Sequence, residues 1–499
     1  MGGSGGSSSG TTGGGGEAPG GEGGSPTTTS SADTTGGTAS GGVGTSGGTV
    51  KTTTGGAEAE GGAAGAGGAP DDLAPRLIDL VVEGGRLPEQ PDFAPDRVRY
   101  AVYAQESPDP LVVTATAAAG ATISVAGLSA KSGEPVELTD VEPGTEFEVR
   151  VSEGGASRTY TVLYLPILFP ELRVTVHEPS AWDAPLYLTP TDEHESRYII
   201  KVDNYGVPLF YQYTARRAYD FKKHWNGVMS YYSSNEHILL NSDYEEIARV
   251  SSIGYSSTDR HEFRILPNGN YMVVVYEPVV RDLTSVGGAA EVEQIDGILQ
   301  EVTPDGELVF EWNTWGHTAY EETNNPGYAH LNSVDFDHDD RWIISLHKTS
   351  EILAMDRATG DVVWRMGGES SDFDFESDPL AGPCNQHAVT VTHDAHILVF
   401  DNHTTCHDGH TRVVEYALDE REMTAELVWS YHRDGIQSRT QGSAQRLPNG
   451  NTLMGWGEND TAVMATEVDA DGEVVFELEA YDPGGAALTS YRVGRFVED

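Results

Sequence analysis

One kind of unit returns along the C-terminal two thirds of this chain, a tight turn followed by a β-branched and aromatic run. It is read in YGVPLFYQY (205–213), DGELVFEW (305–312), TGDVVWRMGG (359–368), AELVWSYH (425–432) and DGEVVFELE (471–479), with PNGNYMVV (267–274) and PNGNTLMGW (448–456) between them. Glycine permits the turn, and the run that follows suits a pleated strand. The units are spaced irregularly around roughly 50 residues, as four-stranded propeller blades with insertions are. Residues 167–499 then hold six blades, and no amphipathic helix of useful length is expected there.

Upstream the pattern changes twice. Residues 76–166 alternate apolar and polar in short runs such as LVVTATA, FEVRVSE and RTYTVLYL, the period-two signature of a small β-sandwich. LIDLVVEGGRLPEQPDFAPDRVRYAVYA and the closing SRTYTVLYL resemble the bacterial cadherin-like β-sandwich domain, which implies a spacer or docking module. Residues 1–75 are almost wholly Gly, Ser, Thr and Ala. Such a segment has few side chains to offset its ordering entropy, so a disordered tether is expected, on the order of 50 Å in root-mean-square reach. The fold class is therefore all-β: a six-bladed β-propeller, an N-terminal sandwich and a low-complexity tail.

Charge excludes one class of partner. With 78 acidic and 30 basic residues, formally −48, the chain repels a phosphate backbone, and no basic cluster relieves this, so nucleic acid is not expected to bind. The acidic excess is spread over the folded part as a solvated surface. A sulfate ester would then need a locally polar or cationic pocket. No apolar run reaches membrane-spanning length and no signal peptide is visible. A Gly/Ser tether commonly follows the acylated cysteine of bacterial lipoproteins, so an extracytoplasmic protein tethered by a lipid anchor lying upstream of residue 1 is expected. The only cysteines, Cys384 and Cys406, bracket one predicted hairpin, whose antiparallel return would bring them within disulfide range.

Propellers bind ligands where loops and inner-strand ends converge on the channel mouth. Four segments place a histidine at a strand end in separate units: DRHEFRILPNGN, YAHLNSVDF, SLHKTSE and NQHAVTV. His261, His330, His347 and His387 are thus candidates for one shared ring of imidazoles. Taken singly, each fits an ordinary structural histidine equally well.

The order HEF…LPNGN, HLNSV, SLH, TGDVVWRMGG, QHAV, FDN, TRVVEY and AQRLPNGNTLMGWG resembles the aryl-sulfate sulfotransferase family of six-bladed propellers over roughly residues 168–499. The resemblance implies a transiently sulfated histidine at His387 and two further active-site histidines at His261 and His330. The family arginine of a Ser-x-Arg segment falls on His347. Arg412, Asn332 and His403 are the expected substrate-binding residues, for an aryl sulfate donor and a phenol acceptor. Neither a phosphate loop nor a dinucleotide fingerprint appears, and no cofactor or metal is expected.

These residue types suit the chemistry. Sulfuryl transfer, like phosphoryl transfer, proceeds in line with charge spread over peripheral oxygens. A neutral imidazole can attack, giving two easier half-reactions, while neighbouring donors hold the oxygens and protonate the departing phenoxide. A histidine at 347 offers less than the arginine's permanent fork. With an ordinary pKa near ~6.5 it would lose its charge above neutrality and impose a falling alkaline limb. Lys348 is adjacent, but strand alternation would turn it to the opposite face.

Other histidines receive weaker readings. His393 and His396 are expected at a hairpin tip. The loop NHTTCHDGHTR, with His403, Cys406, His407, Asp408 and His410, carries zinc-ligand types, but its spacing aligns them only on a helix that this segment does not form. It is expected instead to rim the channel and help bind the aryl acceptor. Lys222, Lys223 and His224 form a rare basic spot, read as a solvated loop or a sulfate attractor. Two rival functions are a non-catalytic binding propeller eroded at His347 and a quinone-dependent dehydrogenase propeller, whose Trp repeat TGDVVWRMGG resembles. The second leaves the histidines unexplained.

Overall fold

The computed structural model describes residues 74–497, except 87–89, 106–109, 192–196, 287, 319–328 and 407–408. The low-complexity tether falls almost entirely outside the described residues. The only helical element among them is the 3-10 turn Thr284–Val286.

Six antiparallel sheets of four sequential strands make up the C-terminal part. Their innermost strands are Thr489–Arg495, Tyr219–Lys223, Phe263–Ile265, Leu331–Phe336, His387–Val391 and Ser443–Arg446. The first sheet is completed by the last strand: Thr489–Arg495 pairs with Leu186–Thr191, joining the two ends of the repeat as in a closed propeller. Four antiparallel strands return the chain to the end from which it started, so every inner strand begins at the same end of the ring.

The recurrent runs seen in the sequence are the outermost strands. Leu308–Asn313 and Thr424–His432 alternate in exposure, as half-buried edges should. Middle strands such as Trp342–Leu346, Glu351–Met355 and Ile397–Asp401 are buried along their whole length, because adjoining sheets cover both of their faces. Trp342 and Trp456 are among the largest fully buried side chains; burying a side chain of this kind contributes at least ~1.5–3 kcal/mol. Two outer edges gain a fifth strand: Asp374–Glu376 on one sheet and Glu171–His177 on another, which shields edges that would otherwise invite pairing.

Residues 77–165 form two sheets. One has three strands (Leu77–Glu83, Leu111–Ala117, Pro135–Leu138) and the other five, including Arg99–Tyr103, Thr145–Glu153 and Ala156–Leu165. Their facing apolar residues, among them Leu80, Val113, Tyr100 and Val162, share one core. This layer is fastened to the sheets that follow. Tyr103, Leu165 and Phe169 share a second core with Leu186, Ile200 and Phe476. Arg99 donates to the Pro208 carbonyl at 3.1 Å, and Arg97 lies 4.1 Å above the Tyr205 ring.

Candidate active site

Three of the six inner-strand entrances and one adjoining turn contribute to one row of imidazoles; His330 and His347, expected in separate units, belong to the same sheet. The rings of His261 and His330 lie 4.8 Å apart, those of His330 and His347 5.3 Å, and those of His347 and His387 4.8 Å. His261, His330 and His387 stand at or just before the first residues of inner strands. His347 opens the turn after Trp342–Leu346, its amide bonded to the His330 carbonyl at 3.0 Å. The topology explains the gathering, since residues far apart in sequence occupy equivalent entrances at one end of the ring.

The backbone at this end is bent to present them. His330, Asn385, Ala388 and Gln441 are non-glycine residues at φ 54, 51, 44 and 65, conformations that cost roughly 1–3 kcal/mol each and concentrate at functional sites. Pairing slips between Leu331 and Ser333 and between His387 and Thr390. These are the bulges that re-aim side chains at strand ends. Gly442 must be glycine, because a Cβ at its φ of 106° would run into the Phe400 ring.

Hydrogen bonds fix the tautomers. Asn402 donates through Nδ2 to the carbonyls of Ser438 (3.1 Å) and Gln441 (2.9 Å), so its Oδ1 must be the acceptor toward His387 Nδ1 at 2.7 Å. His387 therefore carries its proton on Nδ1, and its Nε2 lone pair meets only the Gln441 amide at 3.2 Å. His347 donates from Nδ1 to the Asn385 carbonyl at 2.8 Å, leaving Nε2 bare. His261 Nδ1 is held by Asp259, which also accepts the His261 amide at 2.8 Å. Burial pushes the Asp259 carboxyl up, but His261 outweighs it and holds the acid down at about 2. The His330 ring makes no hydrogen bond to protein among the described residues and is the least buried of the four.

Burial and mutual proximity keep His330, His347 and His387 neutral. His387 is driven well below the ordinary imidazole value by burial and then by His347. His330 is lowered well below it by burial, then by His261 and His347. His347 is lowered to about 4, by burial first and the Lys348 charge second. This corrects the expectation of an ordinary titration at His347. A neutral imidazole whose single proton is given to a carbonyl has none left for a sulfate, so His347 does not reproduce an arginine.

Other expected site residues are placed differently. Arg412 donates to Asp401 at 2.8 Å, to both oxygens of Asp378 at 2.8 and 3.0 Å, and to the Gly382 carbonyl at 3.0 Å. It is a buried clamp with no fork left for a sulfate. Asn332, fully buried, donates to the Gln386 carbonyl at 2.8 Å and so braces the backbone just before His387. His403 is buried beside Asp401 at 3.3 Å and has no ring contact with the row. Cys384 and Cys406 form a disulfide, with Cα atoms 6.4 Å apart. That removes the only thiol from the suggested zinc loop, whose His407 and Asp408 lie outside the described residues. His393 sits in an exposed turn and His396 at its end, 3.0 Å from Glu415.

The basic spot at 222–224 is not a solvated loop. Lys222 lies on an inner strand and pairs with Asp220 and Glu262 at 2.6 and 2.7 Å. Arg492 reaches Glu262 at 2.9 Å, and Arg264 reaches Asp335 at 3.0 Å. Asp220, Lys222, Glu262, Arg264 and Arg492 line a channel cavity of about 310 Å³ together with His224, Trp225 and Ala388. His224 is half-buried, with Nε2 2.7 Å from the Ser230 hydroxyl. Lys348 also departs from expectation, because the strand ends at Leu346 and alternation no longer governs it. Asp259, Asn385 and Asn402 lie within the segments DRHEFRILPNGN, NQHAVTV and FDN but were not singled out there, and Gln441 lies in none of these segments.

No curated protein sequence matches the chain. Similar solved structures include a protein of unknown function from Bacteroides caccae (14% identity, 64% of this chain and 100% of that one, TM-score 0.44). The periplasmic gluconolactonase PpgL of Pseudomonas aeruginosa is also similar (11%, 63% and 99%, TM-score 0.38). So is virginiamycin B lyase of Staphylococcus aureus (9%, 62% and 88%, TM-score 0.33). Likenesses this loose say nothing of activity. The family model described as arylsulfotransferase (ASST) matches residues 225–481, just over half of the 499 residues and a span that contains all four histidines of the row. The chain belongs to the arylsulfotransferase family.

Proposed function

We propose that this protein moves a sulfuryl group from a phenolic sulfate ester to a phenol through a sulfohistidine at His387, without a nucleotide. The observation that carries this reading is the His387–Asn402 pair at the end of the imidazole row. A neutral ring with Nδ1 protonated keeps its lone pair on Nε2, which attacks in line as it gives up the Gln441 amide. As the N–S bond forms, the S–O bond breaks and its electron pair leaves on the phenoxide. The ring becomes cationic, and its Nδ1–H bond to Asn402 strengthens with the charge. His261, backed by Asp259, is suited to give a proton at Nε2 to the phenoxide and to take one from the acceptor phenol. Tyr276 and Tyr491, with ring centroids 5.2 and 5.9 Å from His261, offer an aromatic wall to an aryl group.

The disulfide is consistent with an extracytoplasmic protein. On this reading the cadherin-like sandwich spaces the site, and a lipid anchor upstream of the low-complexity segment tethers it to a membrane. One observation favours a second reading, a non-catalytic binding propeller: neither His347 nor Arg412 presents a free donor to a sulfate. Mixing the protein with para-nitrophenyl sulfate, without acceptor, separates the two. A burst of nitrophenol stoichiometric with protein, and one sulfuryl added to the His387 peptide after alkaline quenching, supports transfer. Absence of both, with the ester still bound, establishes the binding reading.

A further inference from the structure

Sulfuryl transfer at His387 needs positive charge near the peripheral oxygens, and the neutral imidazoles nearest it, His347 and His330, do not supply it. The nearby cations are almost all spent. Arg412 is clamped by Asp378 and Asp401. Lys222, Arg264 and Arg492 neutralise Asp220, Glu262 and Asp335 within the channel. Arg260, beside His261 at the far end of the row, stacks 5.0 Å over Tyr219. Lys348 and Arg260 are both exposed, with no ion-pair or hydrogen-bond partner for their charged ends among the described residues. Arg260 adjoins His261 at the far end of the row, whereas Lys348 adjoins His347, whose ring neighbours that of His387.

The position of Lys348 is set by the hairpin turn 347–350, which is stitched across the start of the inner strand Leu331–Phe336. The His347 amide bonds the His330 carbonyl at 3.0 Å, and the Lys348 amide bonds the Ala329 carbonyl at 3.2 Å. The stem of Lys348 thus leaves the backbone beside His330 and His347, and the His347 ring lies 4.8 Å from that of His387. A lysine stem of four carbons has three rotatable donors at its tip. Its charge is felt at both neighbours, whose proton affinity it lowers.

The geometry points to Lys348 as the cation that holds the sulfuryl oxygens during transfer at His387, a role that rests on the sulfotransferase reading above. The S–O bond breaks toward the phenoxide, the N–S bond forms at Nε2, and the ammonium stays protonated throughout, donating to oxygens that keep their negative charge. A point charge acting from a turn also explains how the site dispenses with a fork at residue 347.

The test compares wild type, Lys348→Met and Lys348→Arg in two measurements. The first is equilibrium binding of para-toluenesulfonate, a sulfonate that cannot be transferred. The second is the saturating single-turnover rate of nitrophenol release from para-nitrophenyl sulfate. Loss of one such charged donor typically costs roughly tenfold to a thousandfold in rate. Lys348→Met is expected to slow the saturating burst at least tenfold and weaken sulfonate binding, with Lys348→Arg recovering most of both. An unchanged burst in Lys348→Met overturns the assignment. So does a loss confined to kcat/KM that disappears at high salt, which marks steering alone. If wild type itself shows no burst, the sulfotransferase reading fails, while weakened sulfonate binding in Lys348→Met would still place the ammonium on the anion.

Discussion

Removing the Asn402 carboxamide is the sharpest probe of how His387 is armed. Asn402 is fully buried and spends both ends of its amide: Oδ1 on His387 Nδ1 at 2.7 Å, Nδ2 on the carbonyls of Ser438 and Gln441. In Asn402→Ala the imidazole loses the acceptor that keeps its proton on Nδ1. Only the Gln441 amide then opposes the tautomer protonated on Nε2, which cannot attack sulfur. The bond also strengthens as the ring becomes cationic, and hydrogen bonds to charged groups are worth about 1.5–3 kcal/mol. At about 1.4 kcal/mol per factor of ten, the burst should slow roughly tenfold to 150-fold. The Gln441 carbonyl and one ring N–H lose their partner, while the Ser438 carbonyl keeps Thr411 Oγ1 at 3.3 Å, so stability should also fall by about 1–3 kcal/mol for each group that water does not reach. Asn402→Asp separates these effects. Its carboxylate keeps an acceptor against Nδ1 but favours the imidazolium, raising the His387 pKa, so the acid limb of the burst should move toward neutrality. Stopped-flow bursts across pH, with urea unfolding of each variant, supply both readouts. If Asn402→Ala is folded and bursts within about a factor of two of wild type, His387 is not the attacking group in the tautomer described.

Acid should weaken the fold through histidines buried neutral. Burial, with Lys348 second, holds His347 at about 4, and burial, with Lys222 second, does the same for His237. The unfolded chain takes up these protons near ~6.5 and the folded chain does not, so stability is full above that value and falls until about 4. The loss is roughly 3 kcal/mol per histidine, and His237→Phe should flatten part of the slope in urea titrations. Arg412→Leu should destabilise by about 3–5 kcal/mol by stranding Asp378 and Asp401, while the KM for para-nitrophenyl sulfate in the folded fraction stays unchanged. A large rise in that KM would return Arg412 to the substrate. Opening the Cys384–Cys406 disulfide, which spans 22 residues of chain, should cost about 3 kcal/mol. It should also slow the burst, because Asn385 in the same loop holds His347 and accepts from Thr405 at 3.0 Å.

The fold class was legible because it depends on local chemistry repeated many times. Units such as DGELVFEW and DGEVVFELE carry their turn and their strand in adjacent residues, so their period predicts how many sheets form. The histidine row was half legible. Motif order pointed to His261, His330, His347 and His387, and the entrances to three successive sheets, with one adjoining turn, then had to bring them together. What sequence could not decide was what each imidazole touches. Whether Arg412 faces a substrate or Asp378 depends on side chains at 378 and 401 meeting across folded loops. Whether Lys348 lies within a strand or just past its end turns on a single residue of register. The proton on His387 is placed by Asn402, and that of His347 by a carbonyl 38 residues away. Burial then sets their charge, since a buried imidazole beside another cannot ionise as it would in water. Residue types and their order are properties of the chain, whereas tautomer, charge and free valence arise only when distant segments are packed against one another.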